Sequence, residues 1–190
     1  MAKTKTQAKT KALLTTRDNL SALIGSARKI LRKDKGLNGD ADRLPLLTWV
    51  MFLKFLDDLE FKNAQEAELD GKPCQPIIET PYRWRDWAAR EDGITGDELL
   101  AFIGQERTYR ADGSRGVGLF AYLRSLAGEG EKGSQREVIA NVFKGVQNRM
   151  VSGYLLRDIV NKINGIHFSA SEEIHTLSHL YESMLREMRD

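Results

Sequence analysis

The sequence is poor in cysteine, proline and long apolar runs, and each shortage excludes a class of protein. Its single cysteine, Cys74, excludes an internal disulfide and is typical of a reducing cytoplasm. The most apolar stretch, residues 44–55, is well short of the ~20 residues that a membrane span needs, so no membrane association is expected. The four prolines lie between positions 45 and 81, and the proline-free remainder favours helix.

Charge is distributed unevenly along the 190 residues, although the net charge is only +2. Residues 1–43 contain 11 Lys and Arg against 4 Asp and Glu, whereas residues 44–190 contain 18 against 23. A basic end on a mildly acidic body favours a phosphate-rich or acidic partner. Residues 1–16 have almost nothing to bury and are predicted to be a disordered basic tail, followed by a single helical domain over 17–190.

Apolar residues recur at helical spacing through most of that domain. The pattern predicts an all-α fold of about eight helices, with at most a short strand pair, for which Ile77–Ile78 is the candidate. Three Ser/Thr-x-x-Glu capping boxes mark helix starts, each before an amphipathic run; the second run is Val138, Val142 and Phe143. The boxes begin at Thr95, Ser134 and Ser169.

The central helix is predicted from residues 44–55, where nine of twelve residues are apolar. A helix that is apolar nearly all round must be covered on most sides, so it is expected in the core. Asp57, Asp58 and Glu60 follow the apolar run, and the adjacent Asp57 and Asp58 are interpreted as a solvated helix end.

Three patterns resemble ligand sites but lack essential parts. His175 and His179 are four residues apart with Glu172 before them, yet the inner Glu of the H-E-x-x-H metalloprotease motif is missing. A metal-dependent enzyme built on these three residues is an alternative that predicts bound metal.

Two further patterns are incomplete. Asn38-x-Asp40-x-Asp42 lacks the Gly and Glu of a calcium loop. Gly116-Val117-Gly118 is interpreted as a flexible connector rather than a phosphate loop.

Basic residues give the main functional candidate. A predicted helix from Asp18 carries five of them and could lie along a phosphate backbone; the alternative is the solvated face of an amphipathic helix. The five are Arg28, Lys29, Arg32, Lys33 and Lys35. A second candidate interleaves Arg83 and Arg85 with Tyr82, Trp84 and Trp87, a mixture that suits nucleic acid or a protein interface. The alternative for Trp84 and Trp87 is that they are core residues on a short helix.

Four segments, in this order, resemble a known family. They are residues 53–60 (LKFLDDLE), Tyr82-Arg83-Trp84, residues 165–168 (GIHF) and residues 179–185 (HLYESML). Their order and spacing are similar to those of the N-terminal helical domain of the modification (methyltransferase) subunit of type I restriction-modification systems. The resemblance extends from about Arg17 to the end of the chain.

This resemblance implies a supporting role in adenine-specific DNA methylation. The family's catalytic domain binds S-adenosylmethionine through an aromatic-Gly-x-Gly motif and acts through Asn-Pro-Pro-aromatic, and neither motif occurs here. No catalytic, cofactor-binding or metal-binding residue is therefore expected in this chain, which would be a piece of a longer cytoplasmic protein. The resemblance further implies contacts with DNA, with the specificity and restriction subunits, and with the catalytic domain. The alternative is a free-standing helical DNA-associated or regulatory protein.

Overall fold

Helices dominate the structure, a computed structural model that describes residues 17–90, 93–128 and 134–166. These ranges contain seven α-helices and one antiparallel two-stranded ribbon, so the predicted all-α class with at most a strand pair is confirmed. The helices are α1 (Arg17–Leu31), α2 (Asp40–Leu69), α3 (Trp84–Trp87), α4 (Gly96–Gly104), α5 (Leu119–Ser125), α6 (Gln135–Phe143) and α7 (Gly153–Asn164). The strands are β1 (Arg107–Tyr109) and β2 (Arg115–Val117), and a 3₁₀ turn over Leu126–Gly128 extends α5.

Several predictions concern residues outside the described ranges. They are the disordered tail over 1–16, the capping box at Ser169 and the metal candidates Glu172, His175 and His179. The segment HLYESML and the second half of GIHF also fall outside these ranges.

The predicted apolar helix is the centre of the fold, as α2. Its buried residues include Leu47, Trp49 and Val50, and the Trp49 ring meets Phe120 of α5 edge-on with centroids 5.0 Å apart. Phe120 in turn contacts Phe143 of α6, which joins three helices through aromatic packing. On the other side, α7 packs against α1, α2 and α4.

The interpretation of Asp57 and Asp58 as a solvated helix end is wrong. Helix α2 continues to Leu69 and is 30 residues long, and Asp57 and Glu60 are buried within it. The acidic residues fit in a buried helix because each has a partner, which offsets the cost of burying its charge. Asp58 accepts from the Nζ of buried Lys54, and the Glu60 carboxylate accepts from the backbone N–H of Ile78 at 3.1 Å.

Two local predictions also need correction. The Ile77–Ile78 segment is not a strand; its backbone N–H groups donate to Glu60, and the strand pair lies at β1 and β2 instead. In α6, Val138 and Val142 are exposed, because Ile139, Ala140 and Phe143 form the face that packs on α5. The three residues recur at helical spacing, so they cover one side, about 100° round from the valines.

Of the capping boxes, the structure describes two. Ser134 caps α6 by accepting from the backbone N–H of Glu137 at 3.3 Å, as predicted. Thr95 precedes α4, but its side chain makes no capping hydrogen bond. Within the described ranges, no helix combines the length and apolar character that crossing a membrane requires.

Candidate nucleic-acid interface

The five basic residues near α1 do not share one helix. Helix α1 ends at Leu31, so Arg28 and Lys29 lie in its last turn while Arg32, Lys33 and Lys35 lie in the loop that follows. The predicted basic helix is therefore too long by one turn. On the side of α1 opposite Lys29, the residues Ile24, Ala27 and Leu31 are buried and Leu23 is half-buried.

Asp34 explains why the helix ends and the loop takes a defined shape. Its carboxylate is only 3% exposed and accepts from three backbone N–H groups: Gly36 at 2.8 Å, Val151 at 3.2 Å and Ser152 at 2.9 Å. An aspartate that binds backbone N–H groups offers the chain an alternative to the helical ladder. It also joins the loop to the start of α7, more than a hundred residues further along.

Gly36 completes this junction. A Cβ atom at position 36 would stand 2.3 Å from the carbonyl oxygen of Arg149, so any side chain here would push the loop away from the segment before α7. The glycine is needed for the close approach of two backbones.

With Asp34 turned inward, the cations around it face solvent. Lys29, Arg32, Lys33 and Lys35 are exposed, and no carboxylate within the described ranges pairs with them. We call these four residues the basic patch. Arg28 differs, because it is half-buried and its Nη2 lies 3.2 Å from Asp40 Oδ2. The basic patch can attract a polyanion, whereas Arg28 helps to hold α1 against the start of α2.

The second candidate, the segment with Arg83 and Arg85, makes its contacts within the protein. Trp84 and Trp87 are each 2% exposed, which confirms their interpretation as core residues. Arg83 forms a two-pronged ion pair with Asp86, at 2.9 and 2.8 Å, and this hydrogen bonding raises the pKa of the Arg83 guanidinium. Such a fork is a strong, geometrically specific contact.

Arg85 is likewise occupied by contacts within the protein. Its Nε donates to Asp57 Oδ1 and its Nη2 to the Asp57 carbonyl oxygen, both at 2.9 Å, and its guanidinium lies 5.1 Å from the centre of the Phe61 ring. These contacts fix α3 on α2. They leave Arg83 and Arg85 less able to bind an outside anion than the basic patch is.

The weaker ligand patterns find no support in the described ranges. No group of three or more metal-binding side chains occurs there, and Asp40 and Asp42 instead bind Arg28 and Arg149. Gly116 lies in β2 and Gly118 directly precedes α5, so this segment is not a flexible connector. Cys74 is an exposed free thiol.

Sequence reasoning missed a second surface rich in arginine, on the ribbon formed by β1 and β2. Two short alternating segments, Arg107-Thr108-Tyr109 and Arg115-Gly116-Val117, flank a turn that contains Asp112-Gly113. An Asp-Gly pair between alternating segments is a hairpin signal, and it could have found this element.

Comparisons with known proteins now bear on this geometry. No protein-family model matches the chain. The type I restriction enzyme EcoEI methylase subunit of Escherichia coli is 38% identical over 171 residues, which make up 90% of this chain and 32% of that protein.

Two solved structures share the fold. One is described as the modification subunit of a type I restriction enzyme from Vibrio vulnificus YJ016; it is 68% identical, with a TM-score of 0.86 over 93% of this chain and 36% of that one. The other belongs to a study of complex assembly and conformational transition of the type I restriction-modification system. It is 35% identical, with a TM-score of 0.64 over 90% of this chain and 30% of that one.

The chain therefore spans about a third of the length of the relatives that it matches. The resemblance found in the sequence is confirmed: the chain is homologous to about a third of the length of type I restriction enzyme modification subunits.

Proposed function

We propose that this chain is the helical domain of a site-specific adenine DNA methyltransferase subunit, and that it helps to clamp DNA and to assemble with the specificity subunit. The homology to modification subunits supports a place for this chain within a methyltransferase subunit. It does not favour a free-standing regulatory protein. The basic patch is the observation that carries the proposal. A cytoplasmic location follows from it, because that is where a type I enzyme would meet its DNA.

The chemistry of the basic patch suits a clamp. Four exposed cations without carboxylate partners in the described ranges can neutralise phosphates and release counterions, which gives a salt-dependent affinity. Contacts to phosphates position a protein on the duplex without selecting a sequence. In the proposed assembly, the specificity subunit reads the target sequence and this domain encloses the duplex.

The residues that the structure describes do not fit S-adenosylmethionine. The aromatic-Gly-x-Gly motif is absent, because the two Gly-x-Gly pairs of the sequence follow Arg115 and Ala127. The pair at Gly116 and Gly118 is also filled: a Cβ at Gly118 would stand 2.1 Å from the Gln105 carbonyl oxygen, and one at Gly116 would meet the Arg110 guanidinium. We therefore assign cofactor binding and methyl transfer to a catalytic domain outside this sequence.

Other subunits are the remaining partners in the proposal. One structural relative comes from a description of type I complex assembly, which supports contacts with the specificity and restriction subunits. The end of α2 offers surface for such contacts, since Phe61 is 51% and Leu69 88% exposed.

Changing Lys29, Arg32, Lys33 and Lys35 together to Gln tests the clamp. Fluorescence anisotropy of the 190-residue chain with two duplexes of unrelated sequence, over a series of salt concentrations, measures the affinity. We expect it to fall alike on both duplexes and the salt slope to decrease by about 1 per cation removed. The control is Arg124→Gln with Arg136→Gln, because these arginines pair with Glu106 and Glu79. An affinity equal to the control's would overturn the clamp assignment.

A further inference from the structure

The ribbon carries its exposed side chains on one face. Arg107 pairs with Val117 and Tyr109 with Arg115 in antiparallel register, so all four side chains lie on the same side. Tyr109 is 58% and Val117 41% exposed, while Thr108 and Gly116, on the other side, are less exposed. We call Arg107, Tyr109 and Arg115 the ribbon face.

The charges of the ribbon face are not neutralised within the described ranges. Arg115 donates to the neutral Tyr109 hydroxyl, from Nε at 3.0 Å and Nη2 at 2.8 Å, and its guanidinium lies 5.1 Å from the ring centre. No described carboxylate pairs with Arg115 or Arg107. By contrast, Arg124 on neighbouring α5 pairs with Glu106 at 2.9 Å.

The turn that joins the strands is held in place by hydrogen bonds. Gly113 adopts a positive φ of 80°, and Asp112 accepts from both the backbone N–H and the hydroxyl of Ser114, which lowers the pKa of the Asp112 carboxyl. Arg110 Nη2 donates to the Arg115 carbonyl oxygen at 2.8 Å. A two-stranded hairpin is marginal alone, but this one is braced before any ligand binds.

The ribbon is also anchored to the core. The hydroxyl of buried Tyr82 donates to the Val117 carbonyl oxygen at 2.9 Å, and the Tyr82 ring stacks on Tyr122 with centroids 3.9 Å apart. At the end of β2, Gly118 packs directly on the backbone of Gln105. A ligand held by the ribbon face would therefore be held by the domain as a whole.

We propose that the ribbon face is a second contact surface for duplex DNA, in which Arg107 and Arg115 bind phosphates and Tyr109 holds the Arg115 guanidinium in position. This inference rests on the proposed function in taking DNA as the ligand, but it uses residues distinct from the basic patch. Charge complementarity favours DNA over a neutral partner. The width of a two-stranded ribbon also suits the major groove, whose rims are lined by phosphates.

A protein segment is the competing occupant. An open depression of about 730 Å³ lies beside the ribbon, between the strands and the end of α4 with the residue that follows it, where Ala101 and Gln105 line it. Arginine and tyrosine are also common at protein interfaces. The test therefore includes binding to the specificity subunit.

The ribbon variant is Arg107→Gln with Arg115→Gln, which keeps most of each side chain and removes both charges. DNA affinity of the 190-residue chain is measured over a salt series as for the basic patch, with the variant at Arg124 and Arg136 as the charge-matched control. We expect the dissociation constant of the ribbon variant to rise about tenfold at low salt and its salt slope to fall by about 2. Arg107→Lys with Arg115→Lys restores the charges but not the guanidinium contacts with Tyr109, so we expect the salt slope to return to the wild-type value and the affinity to recover in part. Circular dichroism checks that each variant is folded.

Five outcomes decide between these assignments. Loss of affinity in the ribbon variant, with recovery in the lysine variant, supports the inference. A ribbon variant that binds like the control overturns it, and the proposed clamp survives if the basic-patch variant is weak. If the basic-patch variant binds like the control and the ribbon variant is weak, the basic patch is overturned and the ribbon face is supported. Unchanged DNA binding with loss of the specificity subunit in a pull-down makes the ribbon face a protein-docking surface. A wild-type chain that binds no DNA at low salt overturns both assignments.

Discussion

The basic patch and the Tyr82–Trp87 segment look alike in the sequence and are used differently in the fold. Both combine several cations with apolar residues. In the segment, Arg83 and Arg85 each bind a carboxylate and the tryptophans are buried, whereas the cations of the basic patch are exposed. The comparison teaches that the partner of a cation, more than the local density of charge, decides whether it is available to a ligand.

The physical cause is where the nearby carboxylates point. Asp57 and Asp86 face the arginines of the segment and neutralise them. Asp34 is surrounded in sequence by Lys33 and Lys35, but its carboxylate turns inward to backbone N–H groups. One acidic side chain thereby holds the loop in shape and leaves its cations free of a neighbouring counter-charge.

The largest effect in this comparison is expected from Asp34→Ala. The change leaves the N–H groups of Gly36, Val151 and Ser152 without their acceptor, so we expect the free energy of unfolding to fall by about 3 kcal/mol. Urea denaturation followed by circular dichroism measures it. Asp34→Asn, which keeps one carbonyl oxygen, should lose about half as much. A loss below about 1 kcal/mol for the alanine variant would mean that Asp34 does not hold the loop.

Two single substitutions, one in each region, are expected to have smaller and opposite effects on stability and DNA affinity. Arg85→Ala leaves the buried Asp57 carboxylate without its partner, and we expect the free energy of unfolding to fall by about 2 kcal/mol with DNA affinity unchanged. Lys33→Ala should do the opposite, with stability within about 0.5 kcal/mol of the wild type and weaker DNA binding. Chemical denaturation and anisotropy on both variants test the contrast. If both variants lost the same DNA affinity when equal fractions of each were folded, this contrast would be contradicted.

The smallest effect concerns Glu60, which, like Asp34, binds backbone N–H groups. Burial raises the pKa of the Glu60 carboxyl, against the opposing effect of the hydrogen bonds from Ile78 and Ile77. The folded protein thus holds this proton more tightly than the unfolded chain does. The stabilising contribution is present below the ordinary carboxyl pKa and is lost as pH rises through the raised pKa of the folded state.

Glu60→Gln keeps an oxygen acceptor but cannot ionise. Its stability relative to the wild type should therefore increase as pH rises from the ordinary carboxyl pKa of about 4 through the raised pKa of the folded state, as thermal unfolding at several pH values would show. Glu98→Gln, on the exposed side of α4, is the control and should track the wild type. A wild-type-minus-variant difference that is constant with pH would show that folding does not raise the pKa of the Glu60 carboxyl.

Much of the fold could be predicted where one residue pattern sufficed. In α7, Leu156, Ile159, Val160 and Ile163 recur at helical spacing, and all four are buried. The apolar run of α2 similarly required a core position. Prediction failed in α6, because its valines and its truly buried residues both recur at helical spacing. It also failed at the end of α2, because charged residues suggested that the helix stops there.

The sequence by itself determined the helical class, the central apolar helix and the resemblance to modification subunits, because periodicity, capping and motif order are local properties of the chain. Only the tertiary structure decided which cations are available. Arg85 meets Asp57 across 28 positions, and Asp34 reaches Ser152 across 118. The ribbon face likewise depends on a strand register that sets Tyr109 opposite Arg115. Ion pairing and exposure depend on distances between residues far apart in the chain, and folding alone sets those distances.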